Sequence, residues 1–440
     1  MGVHAEWSKK VLTTLEKIMK KLDRHLSPGL NLSNFGHSQQ LQYYFLQVFQ
    51  SKTPVKNFLS LVKLLLMVSL SWLLTPICFL LKQAKFRFVD IDLSQIGSIM
   101  YLDLFLRENA LNQKSPKSRI FVVGSHFFEG NRYINDLYEE HVTFIRNPFL
   151  KLLLSPLFVS PVFANDSSHR YETIHSKVAV AHHIWNNYSK LNRKPLISMP
   201  YCDVKKAKSD LAKYVDLRRP FVALHVREVG FYNIASQNTR NADIRTYKAA
   251  IRFLIDQGFN VIRIGDSSMQ SISEMQEDLG NALFDYARSE IKSQLLDCFL
   301  LSHCSFFIGC SSGPASIPFL FHRNSVNVNW HVAINGPNFM LGDITTIKRH
   351  HYSDTKKIVP LNILFEAPLR WGPTRRELET LGIYLEDNTD EEILGTVKEF
   401  LLNNEVADLQ LQAKTLIPND GYAFAAKGNY SKITLEQYFP

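Results

Sequence analysis

The chain has 440 residues, of which 45% are hydrophobic and 21% are charged, so it is a folded globular protein too long for one ordinary core. Its net charge of +9 favours anionic partners, although charge alone does not choose among nucleotide sugars, phospholipid surfaces and nucleic acid. The five cysteines are odd in number and lack CxxC spacing, which supports neither a disulfide framework nor a zinc site and fits a reducing environment.

The first 84 residues form an extension with two parts. Lysines between residues 9 and 21 stand among leucines at helical spacing, which predicts a basic amphipathic helix that either anchors the chain at a membrane surface or is an ordinary solvated face. Residues 58–81 are apolar apart from Lys63 and are long enough to cross a bilayer core of about 30 Å. Because Pro76 interrupts the stretch and basic residues flank both ends, we expect a monotopic or re-entrant insertion; a buried helical hairpin is the alternative.

From residue 86 onward, short apolar runs alternate with helical periodicity. The predicted elements are strands at 86–91 and 118–125, a turn at 94–98 and a helix at 99–108. This alternation is typical of a parallel sheet. Prolines interrupt the pattern between residues 126 and 215, where only a helix around 175–191 is predicted. A hinge near residues 216–220 is expected to separate the two halves of the chain.

The second half of the chain repeats the strand-helix alternation. The predicted strands are 221–224, 259–266, 282–287, 305–309 and 325–330, and the predicted helices are 244–257, 289–302, one beginning near Ala315, 393–402 and one around 404–414. Asn241 or Asp243 is expected to cap the first of these helices and Gly258 to end it. Thr389 opens a capping box before residue 393. Five such units in succession predict a doubly wound domain.

Polar residues follow two of the predicted strands. His225 and Arg227 come directly after residues 221–224, where open α/β sheets bind ligands. Ser311, Ser312 and Gly313 turn the chain from a strand into the helix expected near Ala315, and the free amides at a helix start suit a phosphate. The arginine fork binds two phosphate oxygens at once. We therefore predict a diphosphate held between Arg227 and this turn; a structural salt bridge is the alternative for Arg227.

Further residues are candidates for the same site. His225 either holds a phosphate, deprotonates an acceptor hydroxyl or is a structural histidine. Arg240 reaches the crevice if its loop folds inward, and otherwise lies at the surface. Glu228 is a candidate base, although side chains alternate along a strand and its own points away from Arg227.

Four positions near the predicted strand ends, Gly265, Asp266, Asp285 and Tyr286, are candidates for nucleotide contacts. Asp266, after Gly265, either binds a ribose or an acceptor hydroxyl, or caps the following turn. Asp285 and Tyr286 are expected near a base or ribose. Asp297, inside a predicted helix, faces either the site or solvent. No GxGxxG follows a strand, which disfavours a dehydrogenase, and basic residues without aromatic interleaving disfavour nucleic-acid binding.

The ordered motifs LHVRE, TRNADI, VIRIGD, FDYA and LLDCFLLSHCSFFIGCSSGPASI resemble a family of bacterial glycosyltransferases of surface-carbohydrate loci over residues 85–400. The His225-Val226-Arg227 element also resembles fucosyltransferases of the two-Rossmann GT-B architecture, and the Ser-Gly-Pro turn is similar to the donor-phosphate turn of heptosyltransferases. Position 310 departs from that pattern, because it is Cys instead of Asp or Thr. Backbone contacts to a phosphate would survive this change.

The resemblance implies an α/β fold with two Rossmann-like domains facing a cleft. Together with the apolar N-terminal stretch, which lies outside the resemblance, this predicts a membrane-associating extension (1–84), an acceptor domain (85–216), a nucleotide-sugar donor domain (217–385), and a C-terminal helix and tail (386–440). The resemblance implies sugar transfer from a nucleotide sugar and does not identify the sugar. We expect a hexosyl or fucosyl type of transfer from a GDP- or UDP-linked donor to a glycan acceptor in surface polysaccharide or glycoconjugate synthesis, and a lipid-linked acceptor would account for the apolar stretch and the positive charge.

We expect this transferase to hold no permanent cofactor, to need no metal because no DxD carboxylate pair is evident, and to lie at the cytoplasmic, inner face of the membrane. A nucleotide-sugar epimerase of the same fold is one alternative. A non-catalytic membrane protein that binds sugar nucleotides is another.

Overall fold

The computed structural model describes part of the chain. The described residues are 54–91, 93–111, 119–124, 130–158, 160–164, 184, 187–188, 191, 193–228, 239–332, 340, 342–366, 369, 374–402 and 429–438. The chain divides into two compact units, Met1–Val62 and Lys63–Pro440, and the contacts reported below lie within the second. The helices predicted before residue 54 and at 404–414, and most of the one at 175–191, lie outside the described residues.

The N-terminal part of the chain carries a small parallel sheet. Its elements are α1 (Pro54–Leu73), α2 (Thr75–Gln83), β1 (Phe86–Ile91), α3 (Ile99–Leu111), β2 (Arg119–Gly124), α4 (Arg132–Asp136), β3 (Thr143–Ile145), α5 (Pro148–Phe158), α6 (Pro161–Ala164) and α7 (Tyr201–Leu211). The strands lie in the order β1-β2-β3. The strands predicted from residues 86 and 118 are confirmed, with a 3-10 turn at Ile96–Ser98 between β1 and α3.

The remaining described elements belong mainly to a larger sheet. They are β4 (Phe221–His225), α8 (Lys248–Asp256), β5 (Asn260–Arg263), α9 (Ser273–Leu279), β6 (Leu283–Phe284), α10 (Gln294–His303), β7 (Phe307–Gly309), β8 (Ser325–Trp330), β9 (Ile344–Ile347), β10 (Arg349–Tyr352), α11 (Leu361–Leu364), α12 (Arg375–Thr380), β11 (Ile383–Glu386), α13 (Asp390–Leu402), β12 (Asn429–Tyr430) and α14 (Lys432–Tyr438). Strands β10 and β11 form an antiparallel pair.

The larger sheet is parallel and has the order β12-β9-β8-β7-β4-β5-β6. The chain starts at the interior strand β4, builds outward through β5 and β6, and then returns to the other side of β4 with β7. The strand order therefore reverses between β4 and β7. In open α/β sheets the carboxyl ends of the strands at such a switch point border the ligand crevice. The predicted parallel α/β architecture is confirmed; two domains facing a cleft, with boundaries at 84, 216 and 385, stay a prediction.

Both faces of the larger sheet are buried, as expected for parallel strands. Along β4, Val222 and Leu224 pack into a cluster with α8 and α13, whereas Phe221 and Ala223 pack on the opposite side with α10 and α3. The side chains alternate because successive residues of a strand point to opposite faces. This two-sided burial explains why the strand reads as a continuous apolar run.

Two predicted elements are wrong. In place of the helix expected near Ala315, the chain makes two 3-10 turns, Pro314–Ser316 and Pro318–Phe321. Pro318 has no N–H and its ring conflicts with a helical carbonyl four residues earlier, so an α-helix does not continue through it. The strand expected at 282–287 is only Leu283–Phe284.

Proline positions also explain elements that the sequence did not predict. Pro148 and Pro161 each occupy the first position of a helix, and Pro200 directly precedes α7. Proline fits the first helical turn, because the N–H it lacks has no partner within the helix there. Because these prolines were interpreted only as interruptions of regular structure, α5, α6 and α7 were not predicted.

A buried polar cluster joins α3 to the turn before β8. Arg107 and Asp103, both fully buried, form an ion pair, and the Tyr138 hydroxyl donates to the Asp103 carboxylate at 2.8 Å. Arg107 also donates to the Leu320 carbonyl at 3.1 Å and lies 3.1 Å from Nε2 of His322. Burial, with the charge of Arg107 acting in the same direction, lowers the pKa of His322 to about 4. One arginine thus ties together segments that are distant in sequence.

The capping box predicted at Thr389 is confirmed. The Glu392 N–H donates to the Thr389 hydroxyl at 3.3 Å, and the Thr389 N–H donates to the Glu392 carboxylate at 2.8 Å. Asp243 likewise caps the helix predicted at 244–257 by accepting from the Arg245 N–H. Gly258, with φ 90°, ends that helix. That helix begins with a 3-10 turn, Ile244–Tyr247, before α8.

Glu399 on α13 is expected to make stability depend on pH. Its carboxylate accepts from the Lys432 backbone N–H at 2.8 Å, and burial raises its pKa from 4.5 to about 7. The folded state therefore holds a proton that the unfolded state releases, so stability falls as pH rises from about 4.5 to 7. Glu399→Gln keeps an acceptor without the charge.

We expect Glu399→Gln to stabilise the protein at pH 8 by about 1 kcal/mol after solvent screening, and by less than half of that at pH 5. Thermal unfolding at both pH values measures this difference. The exposed Glu391→Gln on the same helix is the control. Equal gains for Glu399→Gln at the two pH values would contradict the prediction.

Candidate functional site

The ends of β4 and β7 are joined by side-chain contacts at the switch point. His225, the last residue of β4, is the register partner of Gly309, the last residue of β7. The Arg227 N–H donates to Sγ of Cys310 at 3.0 Å, and the Ser312 hydroxyl lies 3.0 Å from Nδ1 of His225. The two halves of the predicted site are therefore brought together by adjacent strands.

Other residues reach the same turn from separate elements. Arg240 donates through Nε to the Ser311 carbonyl at 2.9 Å, so Arg240 itself lies at the turn. The Ser311 hydroxyl lies 2.8 Å from Nδ1 of His331, which follows β8. Lys348, which follows β9, is buried and donates to the Asp387 carboxylate at 2.6 Å. His331 and Lys348 were not predicted as site residues. Both stand directly after buried strands, but those strands contain polar residues such as Asn327 and Thr345 and so lack the apolar run that identified Arg227.

Three positive side chains affect the same two groups. Burial raises the pKa of the Cys310 thiol, and the charges of Lys348, Arg240 and Arg227 act against this rise. Burial lowers the pKa of His331 well below its usual range, and Arg240, Lys348 and Arg227 act in the same direction. Both groups therefore lie close to the same three cations, of which Lys348 is itself paired with Asp387. Cationic side chains gathered at a strand end favour an anion.

His225 is uncharged at neutral pH. Burial lowers its pKa to about 3, with Asp266 opposing the shift and Arg227 adding to it. The imidazole therefore contributes a hydrogen-bond partner to the site and no positive charge. Its predicted role as phosphate ligand or base stays a prediction.

Glu228 belongs to a second, fully internal network at the end of β5. Its carboxylate accepts from Arg263 at 2.9 Å and from the Gln270 N–H at 2.7 Å. Arg263, which is fully buried, also donates to the Asp285 carboxylate at 3.2 Å. Burial raises the pKa of Asp285, and Arg263 opposes that rise. The two carboxylates hold a buried arginine in place; their predicted roles as base and ribose ligand stay predictions.

The remaining predicted residues have local structural partners. A Cβ at Gly265, where φ is 151°, would lie 2.2 Å from Sδ of Met269, so glycine is required there. The Asp266 carboxylate accepts from the Ser268 N–H at 2.8 Å and caps that turn. Tyr286 is fully buried. Their predicted nucleotide contacts stay predictions.

Gly313 contacts the small sheet through its backbone. A Cβ built at Gly97, in the 3-10 turn after β1, would lie 3.1 Å from both Cα and O of Gly313. A Cβ at Gly313 would lie 3.1 Å from Cγ2 of Ile96. The turns that follow β1 and β7 therefore touch backbone to backbone. Small residues at both positions permit this contact.

We expect Gly97→Ala to separate these turns slightly and Gly97→Val to separate them more. Overpacking of this kind costs about 1–3 kcal/mol, so the valine variant should lose several degrees of melting temperature. Because Gly313 adjoins the residues that bind His225 and Arg240, anion affinity at the switch point should fall in the same order. Thermal unfolding and titration with inorganic pyrophosphate measure the two effects, and a valine variant that matches the wild type in both would contradict the contact.

The described residues contain no group of three or more His, Cys, Asp and Glu side chains placed to hold a metal ion. A groove of about 730 Å³ lies at the opposite edge of the larger sheet, lined by residues that include Arg218, Arg219 and Asn260. These residues stand at the amino ends of the strands, away from the switch point. The residues predicted as a site therefore lie at the carboxyl ends of β4 and β7, away from this groove.

Comparisons with known proteins find weak structural similarities. No protein-family model matches the chain, and no curated protein sequence matches it. Among solved structures, the ADP-heptose lipopolysaccharide heptosyltransferase II of E. coli is 15% identical over 72% of this chain and 99% of its own, with a TM-score of 0.41.

Two further solved structures are similar at the same level. The family 9 glycosyl transferase of Veillonella parvula is 12% identical over 73% of this chain and 98% of its own, with a TM-score of 0.45. The iron-containing dodecameric glycosyltransferase TibC of E. coli is 14% identical over 72% and 76%, with a TM-score of 0.36. At these scores no property of those enzymes transfers to this chain, whose site is interpreted from its own geometry.

Proposed function

We propose that the chain is a glycosyltransferase whose donor is a nucleotide-diphosphate sugar. The observation that carries this proposal is that Arg227 and Arg240 both lie at the turn after β7, where the Arg227 N–H donates to Cys310 and Arg240 donates to the Ser311 carbonyl, at the switch point of the larger sheet. A diphosphate carries several negative charges on closely spaced oxygens, which arginine forks neutralise together. The motif resemblance supports the same class of substrate.

The reaction forms a bond between an acceptor hydroxyl oxygen and the anomeric carbon of the donor sugar. The bond from that carbon to the diphosphate breaks, and the diphosphate oxygen keeps the electron pair. Arg227 and Arg240 then stabilise charge that develops on the leaving diphosphate. The acceptor proton passes to a base. His225 is neutral beside Ser312 and can accept it, since a bound anion raises the pKa of a neighbouring imidazole.

We further propose a GDP- or UDP-linked hexosyl or fucosyl donor, an acceptor that is a glycan or a lipid-linked glycan of a surface polysaccharide or glycoconjugate, and a reaction without a metal cofactor. The resemblance of the sequence motifs supports these finer assignments. A lipid-linked acceptor also fits the apolar helices α1 and α2 and a location at the cytoplasmic face of a membrane.

Arg240→Ala tests the proposal, with Arg245, five residues later in the 3-10 turn Ile244–Tyr247, as the control position. Arg245 is 80% exposed and pairs with Asp243, so Arg245→Ala should leave activity unchanged. Each protein is incubated with ADP-, GDP-, UDP- and CMP-linked sugars and a membrane lipid extract, and released nucleotide is measured. We expect release from one donor class, reduced about 10- to 100-fold in Arg240→Ala, because a charge-assisted contact contributes about 1.5–3 kcal/mol.

Two outcomes contradict the proposal. One is no release from any donor, and the other is release that Arg240→Ala leaves unchanged. An epimerase would convert one nucleotide sugar into another without releasing nucleotide, and a non-catalytic binder would bind the donor and leave it intact.

A further inference from the structure

Two apolar helices cover the same face of the small sheet. Phe88 of β1 and Phe121 of β2 point into a cluster that contains Cys78 of α2 and Leu157 of α5, and α6 supplies Phe163. The neighbouring residues of both strands point to the opposite face and join the main core. Since α2 and α5 pack their inner sides on one face of the sheet, their other sides point away from that sheet.

The outward sides of these helices, together with the end of α1, are strongly apolar and exposed. The largest exposures are Trp72 65%, Leu73 76%, Leu80 67%, Phe149 71%, Leu152 61% and Leu153 61%. Single exposed apolar residues are ordinary, but several large ones on helices that pack on the same face of one sheet mark an interaction surface. We call this set of six residues the apolar platform.

The charge of the segments that form the apolar platform is of one sign. Residues 63–89 contain three lysines and one arginine and no acidic residue, and residues 147–164 contain only Lys151. Lys82 at the end of α2 donates to the Val162 carbonyl at 2.8 Å, and Lys85 just after it is exposed. Apolar residues beside basic ones complement a bilayer surface with anionic headgroups.

The lengths of the helices agree with insertion parallel to the surface. In the described part of the chain no single helix is long and apolar enough to cross a membrane. The helices Leu65–Leu73 and Thr75–Gln83 reach that length and apolar character only when they are counted together, and the bend between them is 62°. Helix α5 has 11 residues, about 16 Å of length, against a hydrocarbon core of about 30 Å.

We propose that α5 inserts beside α1 and α2 into the headgroup region of an anionic phospholipid bilayer, so that the apolar platform is a two-part monotopic anchor. The sequence predicted membrane contact only within the extension of residues 1–84, and α5 is the added part. This proposal does not rest on the glycosyltransferase assignment.

Vesicle flotation of the full chain tests the added part directly. The variant is Leu152→Glu with Leu153→Glu on α5, and the matched control is Leu381→Glu with Leu402→Glu, which are 42% and 64% exposed elsewhere. With vesicles containing phosphatidylglycerol, we expect the α5 variant to lose at least about tenfold in binding and the control to match the wild type. Binding should weaken in 0.5 M salt and with pure phosphatidylcholine.

A fluorescent label keeps the test independent of folding losses. An environment-sensitive dye on Leu153→Cys, in a Cys202→Ser background that removes the exposed cysteine, should shift to the blue with anionic vesicles. The same dye on Leu402→Cys should not shift. Undiminished flotation of the α5 variant, or no shift at 153, overturns the proposal. So does a result in which the α5 variant turns a dimer into a monomer with unchanged flotation, because the platform would then contact a second copy of the chain.

Discussion

Asp103→Ala is expected to destabilise the protein by about 3–5 kcal/mol, because it leaves the charged Arg107 guanidinium buried without its carboxylate. Both side chains are fully buried, and the Tyr138 hydroxyl loses its acceptor at the same time. The cost is large because a buried charge without a partner has lost its hydration. A drop of at least about 5 °C in melting temperature should be seen.

Two controls separate this effect from the loss of any ion pair. Asp210→Ala removes an exposed pair with Lys206 and should leave the melting temperature nearly unchanged. Asp103→Leu combined with Arg107→Met removes both charges and should recover a large part of the loss. If Asp103→Ala melts no lower than Asp210→Ala, the buried cluster does not hold α3 to the turn before β8.

Arg227→Ala is expected to weaken diphosphate binding by about 10- to 100-fold, because the switch point loses a guanidinium that binds two oxygens at once. Arg227 is buried at the end of β4 with its backbone N–H bonded to Cys310, and an alanine keeps that backbone contact. Arg227→Lys keeps the charge without the fork and should fall between the wild type and the alanine variant. Calorimetric titration with pyrophosphate measures all three affinities.

The control for Arg227→Ala is an arginine at the other edge of the sheet. Arg218 is 90% exposed and pairs with Asp216 before β4, so Arg218→Ala removes the same charge from a place with no role in the site. Its affinity for pyrophosphate should equal that of the wild type. Equal losses in Arg227→Ala and Arg218→Ala would show that net charge, and no localised site, determines binding.

The parts of the site that could be predicted lie at the ends of buried strands. Residues 221–224 are apolar. The abrupt change to polar residues at His225 and Arg227 marks the end of the strand. Lys348 follows β9 in the same way, but the polar pair Thr345-Thr346 inside that strand conceals it. The local sequence pattern therefore predicts a buried strand only where the strand consists of apolar residues.

Contacts between distant segments were outside the reach of the sequence. Glu228 and its partner Arg263 are 35 residues apart, and Arg107 and His322 are 215 residues apart. Nothing in the local pattern distinguishes Glu228, held by a buried arginine, from a free carboxylate at a strand end. Such pairings depend on strand order and loop path, which the one-dimensional pattern does not contain.

The central claim is that a nucleoside diphosphate binds at the carboxyl ends of β4 and β7. Calorimetric titration of the purified chain with ADP, GDP, UDP, CMP and inorganic phosphate, repeated with Arg227→Ala, tests it most directly. The account predicts that one nucleoside diphosphate binds well above CMP and phosphate, and that Arg227→Ala loses this binding. Absence of binding by every diphosphate, or equal binding to the variant, would contradict it.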